Sequence, residues 1–262
     1  MTTPEPGRRP RGRPNLDQLY DSLQPAEPVA AKTVVNDLGQ TFAWLPGGSF
    51  RMGAAEDADG HRANEGPVHE VVLTKPFYLA VHPVTQAVYA AVTKQNPAWF
   101  TAERGGSPDH PVERVSWTDA VRFCELLSAQ PDERAAGRTY RLPTEAEWEF
   151  ACRGGTTDAP SSPDAVHSAT APARVGPRPA NTFGLFDLLG NVWEWCSDWF
   201  GERYYAETPL RDPTGPVTGT LRVCRGGSWK NLAGSCRAAY RNALAPHSKS
   251  SAVGFRVVVE VR

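Results

Sequence analysis

The residues of this chain best suited to holding a metal or attacking a substrate are its cysteines and histidines, and their spacing is sparse. Cys124, Cys152, Cys196, Cys224 and Cys236 lie far apart with no CxxC pair. An odd number of scattered cysteines reads as mostly reduced, buried thiols. His61, His69, His82, His110, His167 and His247 show no HxxxH or HxH ligand spacing, and no GxSxG, P-loop or Rossmann glycine pattern occurs. Cys236 is the one nucleophile candidate. Its neighbour Arg237 would favour the thiolate, yet no histidine lies near it in sequence to act as a base, and a structural buried cysteine is the commoner case. Glu194 poses a different problem. Set among Trp193, Trp195 and Trp199, it needs a compensating partner if buried, for which an arginine such as Arg141 or Arg225 would serve.

The elements that position these residues can be read from capping and periodicity. Phe42–Leu45, then Pro46-Gly47-Gly48, then Phe50-Arg51-Met52 reads as strand, tight turn, strand. His69 to Leu73 reads as another strand. Thr85 caps a helix to about Lys94, with Ala87, Val88, Ala91 and Val92 expected inside. Ser116 and Asp119 form a capping box before the stripe Ala120, Phe123, Cys124, Leu127. Thr144 and Glu147 form another, with Trp148 and Ala151 on one face. Residues 153–180, rich in Gly, Ala, Pro and Ser, read as loop. Gly254 to Val259 reads as a closing strand.

Composition sets the outer limits. Twenty-three Gly and 24 Pro imply many turns, and eight Trp imply a compact core with polar seams. A net charge of −1 argues against a nucleic-acid or anionic-membrane binder. No apolar run approaches the length of a membrane span, and none follows the arginines near the N-terminus, so a cytoplasmic protein is expected. Residues 1–33 read as a basic, Pro-rich tail carrying Arg8, Arg9, Arg11 and Arg13. Within it, residues 15–23 place Leu16, Leu19, Tyr20 and Leu23 at helical spacing, as a docking helix for a partner or one that packs back on the domain. Residues 34–262 form the globular domain.

Four segments carry a resemblance to a known family. They are Phe50-Arg51-Met52-Gly53 with Glu65-Gly66-Pro67-Val68-His69 and Pro83-Val84-Thr85; Tyr140-Arg141-Leu142-Pro143-Thr144-Glu145-Ala146-Glu147-Trp148-Glu149; Asn181-Thr182-Phe183-Gly184-Leu185-Phe186-Asp187 through Gly190-Asn191-Val192-Trp193-Glu194-Trp195; and Arg225-Gly226-Gly227-Ser228-Trp229 with Gly254-Phe255-Arg256. In this order and spacing the chain resembles the formylglycine-generating-enzyme, or sulfatase-modifying-factor, family. The resemblance implies an α+β, irregular C-type-lectin-like fold with a few short helices and small antiparallel sheets.

The same resemblance implies both chemistry and its loss. The family's enzymes oxidise a protein cysteine with copper held by two thiolates after the Gly-Gly-Ser-aromatic turn, where soft sulfur suits a soft ion. Here the first thiolate position is Asn231. Cys236 matches the second when counted forward from Gly226. Counted backward from Arg237-Ala238-Ala239-Tyr240-Arg241, the loop is about three residues shorter and Cys236 belongs to the scaffold; this register is preferred because it keeps the arginines aligned. No copper is therefore expected. The family's disulfide anchors Cys124 and Cys152 face Val257 and Ala238 at their usual partner positions, so neither bridge is expected. A structural calcium ion is implied at Asp187, Gly190, Val192 and Glu194, while the family's second calcium site falls in the shortened 153–180 stretch and is expected to be missing.

The expected function is a non-catalytic recognition or adaptor module, such as the family's retroelement-type variable receptors, which binds a protein or peptide through the C-terminal loop face. Trp229, Lys230, Asn231, Leu232, Arg241, Asn242, Leu244, His247 and Lys249 are its candidate ligand-binding residues, since small mixed loops on a rigid frame commonly carry binding sites. The alternative is an oxidoreductase of the family with altered chemistry, acting on a protein cysteine with Cys236 as its candidate catalytic residue.

Overall fold

Residues 32–156 and 165–261 are described by the structure, a computed structural model. The tail helix expected at 15–23 and part of the 153–180 loop lie outside the described residues.

A five-stranded sheet is built from β1 (Thr33–Val35), β2 (Thr41–Leu45), β5 (Phe77–Ala80), β6 (Arg138–Arg141) and β11 (Val258–Val261), in the order β1-β2-β5-β11-β6. A four-stranded sheet contains β7 (Trp193–Trp199), β8 (Arg222–Arg225), β9 (Arg241–Leu244) and β10 (Val253–Gly254), in the order β10-β7-β8-β9. β3 (Gly48–Met52) and β4 (His69–Leu73) pair by themselves. The expected strand–turn–strand at 42–52 is present, but its two strands enter different sheets, because β2 pairs with β1 and β5. The closing strand also divides. Val253 and Gly254 run parallel to β7, while Val258 to Val261 join β5 and β6. One terminal segment thus ties the two larger sheets together.

The described residues contain four α-helices: α1 (Gln86–Thr93), α2 (Trp117–Ser128), α3 (Pro131–Ala135) and α4 (Glu145–Arg153). Both capping boxes form as the sequence implies, with Ser116 and Asp119 at α2 and Thr144 and Glu147 at α4. The α2 stripe Ala120, Phe123, Cys124 and Leu127 is buried. On α1 the expectation needs correcting. Thr85 accepts from the Val88 amide as a cap should, but Gln86, Tyr89 and Val92 face inward while Ala87 and Ala91 are exposed. Gln86 can be buried because its amide donates to Phe100 O (2.9 Å) and accepts from Asn96 (3.0 Å).

Every residue of α4 is buried, including Glu145, Glu149 and Arg153. This helix is the hub of a charged core. Arg225 Nη1 donates to Glu145 Oε1 (2.7 Å), and its Nη2 donates to Glu149 Oε2 and to Ala238 O. Arg241 grips Glu145 through Nε (2.6 Å) and Nη2 (2.8 Å). Arg153 holds Glu149 Oε1 and the Gly53 carbonyl. Burial by itself would push both carboxyl groups up, but the guanidinium charges outweigh it and hold both below the ordinary carboxylate range. The network joins α4 to β8, β9 and the Gly53 turn, and so sets the frame from which the C-terminal loops project.

Candidate functional site: the Gly-Gly-Ser turn and the C-terminal loop face

The turn after β8 is cut to close tolerances. Gly227 has a φ of +80°, and a Cβ there would lie 2.6 Å from Cys236 Sγ, so a side chain at this position would meet both strain and a clash. Ser228 is fully buried, and its hydroxyl donates to Asn231 Oδ1 (2.6 Å). Asn231 O accepts from the Ser168 amide (2.8 Å). Asn231 is thus a side-chain amide bonded to the turn serine. Cys236 is 2% exposed and packs in the same apolar cluster as Phe150 and Ala238. Burial pushes its thiol up to about 11, against a smaller opposing effect from the Ser228 amide. The lowering expected from Arg237 is absent because that guanidinium turns away, donating to Glu65 (2.7 and 2.8 Å) and to Gly60 O. All five cysteines are free and buried.

The candidate ligand residues separate into two groups. Arg241 is not at the surface at all; it is 1% exposed and spent on Glu145. Trp229 is 7% exposed, with its indole N–H donating to Ser251 O (3.0 Å). Asn242 and Leu244 lie in β9, opposite Cys224 and Arg222, and both are half-buried. Lys249 is ion-paired with Asp119 (2.8 Å). Lys230, Leu232 and His247 are exposed. The structure adds a residue that sequence reasoning missed. Trp99 is 44% exposed and belongs to the same face, because Glu113 accepts from the Trp99 and Phe100 amides and the Phe100 ring meets Trp229 edge-on at 5.4 Å. A large aromatic in the long connection between α1 and α2 was the signal that could have marked it.

The implied calcium turn has its own charge balance. Glu194 is fully buried and pairs with an arginine, but with Arg256 rather than Arg141 or Arg225. Both its oxygens accept from that guanidinium at 2.7 Å, and Oε2 also accepts from the Trp148 indole (2.7 Å). Arg141 is engaged with Glu147 and Glu260 instead. Asp187 Oδ2 accepts from the Gly176 amide (2.6 Å) and lies 3.8 Å from His82 Nδ1, with its side chain 1% exposed. Burial raises the Glu194 carboxyl, Arg256 opposes this, and the nearby Asp187 charge raises it further. Arg256 pairs with Glu194 and not with Asp187, which leaves a second buried carboxylate without a guanidinium, near His82 and beside a turn with Gly190 and Asn191 in left-handed geometry (φ +80° and +59°). That surplus and the hard oxygens fit an oxygen-seeking cation in part. Glu194, already committed to Arg256, could act only as a shared ligand.

No helix among the described residues is long and apolar enough to cross a membrane. The family described as a sulfatase-modifying factor enzyme 1-like domain matches residues 28–261. The chain is similar to a formylglycine-generating enzyme of Streptomyces coelicolor, with 35% identity over 306 residues covering 88% of this chain and 92% of that protein. It is also similar to the serine/threonine-protein kinase pkn1 of Chlamydia caviae, with 32% identity covering 95% of this chain but only 44% of that protein. Among solved structures, PvdO from Pseudomonas aeruginosa matches with a TM-score of 0.77 at 26% identity, covering 88% of this chain and 98% of that one. Treponema denticola variable protein 1 matches with a TM-score of 0.73 at 27% identity, covering 88% and 99%.

Proposed function

Because the chain belongs to the sulfatase-modifying factor enzyme 1-like family, we propose that it keeps the family's frame without its copper chemistry and serves as a recognition module for a protein or peptide partner. The observation that carries this reading is the Ser228–Asn231 hydrogen bond, 2.6 Å long, at the position of the first thiolate. An amide oxygen is a poor ligand for Cu(I), and Cys236 alone, inside an apolar cluster, cannot supply a pair. The likeness to a variable protein and to a chain named as a kinase of more than twice the matched length also supports a domain used for recognition. Five free cysteines support a reducing, cytoplasmic location.

The formylglycine-generating relative at 35% identity favours a second reading, an oxidoreductase of altered chemistry. Oxygen uptake with Cu(I) and a cysteine-containing peptide separates the two. A recognition module consumes no oxygen beyond the copper-and-peptide blank, whereas turnover would hand the assignment to the enzyme reading.

Calcium at Asp187, Gly190 and Val192, with Glu194 shared, is part of the same proposal as a stabiliser of the turn that feeds β7. Bound calcium would neutralise the surplus carboxylate charge. Adding calcium to EDTA-treated protein should then raise the thermal midpoint by several degrees through mass action, and Asp187→Asn should abolish the rise. An unchanged midpoint would remove calcium from the account.

A further inference from the structure

The exposed part of the loop face has a chemistry of its own, and its interpretation rests on the recognition reading above. Trp99 carries the Arg104 guanidinium 4.1 Å from its ring centre and the Arg114 guanidinium at 5.7 Å. Beside them, Lys230 Nζ lies 4.9 Å over the Trp229 ring. All three cations are exposed, and none forms an ion pair among the described residues. They come from three separate segments: a short 3-10 turn, the residue just after Glu113, and the loop after Ser228.

Glu113 lies beneath this surface, where burial raises its carboxyl and the Arg114 and Lys230 charges oppose the rise. It is fully buried, with Oε1 taking the Trp99 and Phe100 amides and Oε2 left without a partner. It fixes the position of Trp99 without presenting its charge to solvent. Glu103 is the exposed carboxylate on the same 3-10 turn, so the surface offers three cations against one anion. Leu232, 76% exposed, adds an apolar neighbour two residues beyond Lys230.

A cation resting on an aromatic face keeps its outward N–H groups free. Arg104 spends one N–H on the Trp99 carbonyl (3.4 Å), and exposed guanidinium forks with no carboxylate partner are natural donors to carboxylates. An exposed Trp and Leu beside them favour apolar side chains on the same ligand. We propose that Trp99, Arg104, Arg114 and Lys230 form the selective edge of the loop face and take an acidic partner segment that also bears aromatic or aliphatic side chains. The carboxylates pair with the three cations, and the apolar side chains cover Trp99 and Leu232.

The test uses the full chain and fluorescein-labelled octapeptides of alternating Asp and Phe or alternating Lys and Phe, followed by anisotropy at low ionic strength. The Asp-Phe peptide should bind and the Lys-Phe peptide should not. Combining Arg104→Ala, Arg114→Asn and Lys230→Ala should weaken binding by at least about tenfold, and salt should do the same. Asparagine is chosen at 114 because that residue has a φ of +59°, which asparagine tolerates. Trp99→Ala, which keeps the backbone amide that donates to Glu113, should also weaken binding.

Equal binding by the triple variant, or tighter binding of an eight-nucleotide oligothymidylate, would overturn the proposal. Binding of the Lys-Phe peptide with hydrogen-exchange protection across 229–253 would overturn the charge assignment and leave the recognition module standing. Protection of none of these amides by either peptide would count against both.

Discussion

Replacing Arg225 with Met should destabilise the protein by about 3–5 kcal/mol, the usual result of removing one partner from a buried ion pair. Arg225 is fully buried and donates to Glu145, Glu149, Tyr205 and the Ala238 carbonyl. Without it, the only charged partners of the two buried carboxylates are Arg241 and Arg153, beside the Gly53 amide and the Tyr205 hydroxyl, and the Ala238 carbonyl loses its donor. Lysine should rescue little, because one ammonium cannot span acceptors contributed by α4, a 3-10 turn and the loop before β9. Urea unfolding measures this directly, and a loss below about 1 kcal/mol would show that the network is not structural.

The second large effect has the opposite sign from intuition. Asp198 is 2% exposed, and burial, with the Glu145 charge adding to it, pushes its carboxyl up to about 7; its hydrogen bond from the Glu145 amide opposes this. In the unfolded chain the same group titrates near 4. Between those two values the folded protein holds a proton that the unfolded chain has released, so this group's contribution to stability falls as pH rises from about 4 to about 7 and is flat above. Asp198→Asn keeps an oxygen that can accept from the Glu145 amide and the Ser197 hydroxyl, but carries no charge. It should therefore stabilise the protein at pH 8 by on the order of 4 kcal/mol, and flatten the stability profile between pH 5 and 7. Melting midpoints of the two proteins across that range test the sign. A variant less stable than the parent at pH 8 would refute it.

What the chain revealed in advance was its local chemistry. Thr85, Ser116 and Thr144 announced the three main helix starts, because a cap and the amide that donates to it lie within three residues of each other. The α2 stripe was equally plain. On α1 the reading favoured alanines over Gln86, since the partners that make Gln86 burial tolerable, Asn96 and the Phe100 carbonyl, lie ten and fourteen residues away.

The site was harder to read for the same reason on a longer scale. Arg241 looked like a surface cation because its partner Glu145 is 96 residues distant, and Glu194 meets Arg256 across 62 residues. Pairings of that kind follow from topology, and no local pattern encodes them. The proposed loss of the thiolate pair rests on no topology, since it starts from Asn231, which is read directly from the sequence.

Competition for Cu(I) against a chromophoric chelator, on the parent chain and on Cys236→Ser, tests the central claim most directly. Asn231 is an amide held by Ser228 and Cys236 is sealed in the core, so on the proposed reading both proteins should leave the copper with the chelator to the same extent. A one-to-one Cu(I) complex that the parent forms and Cys236→Ser does not would contradict the account.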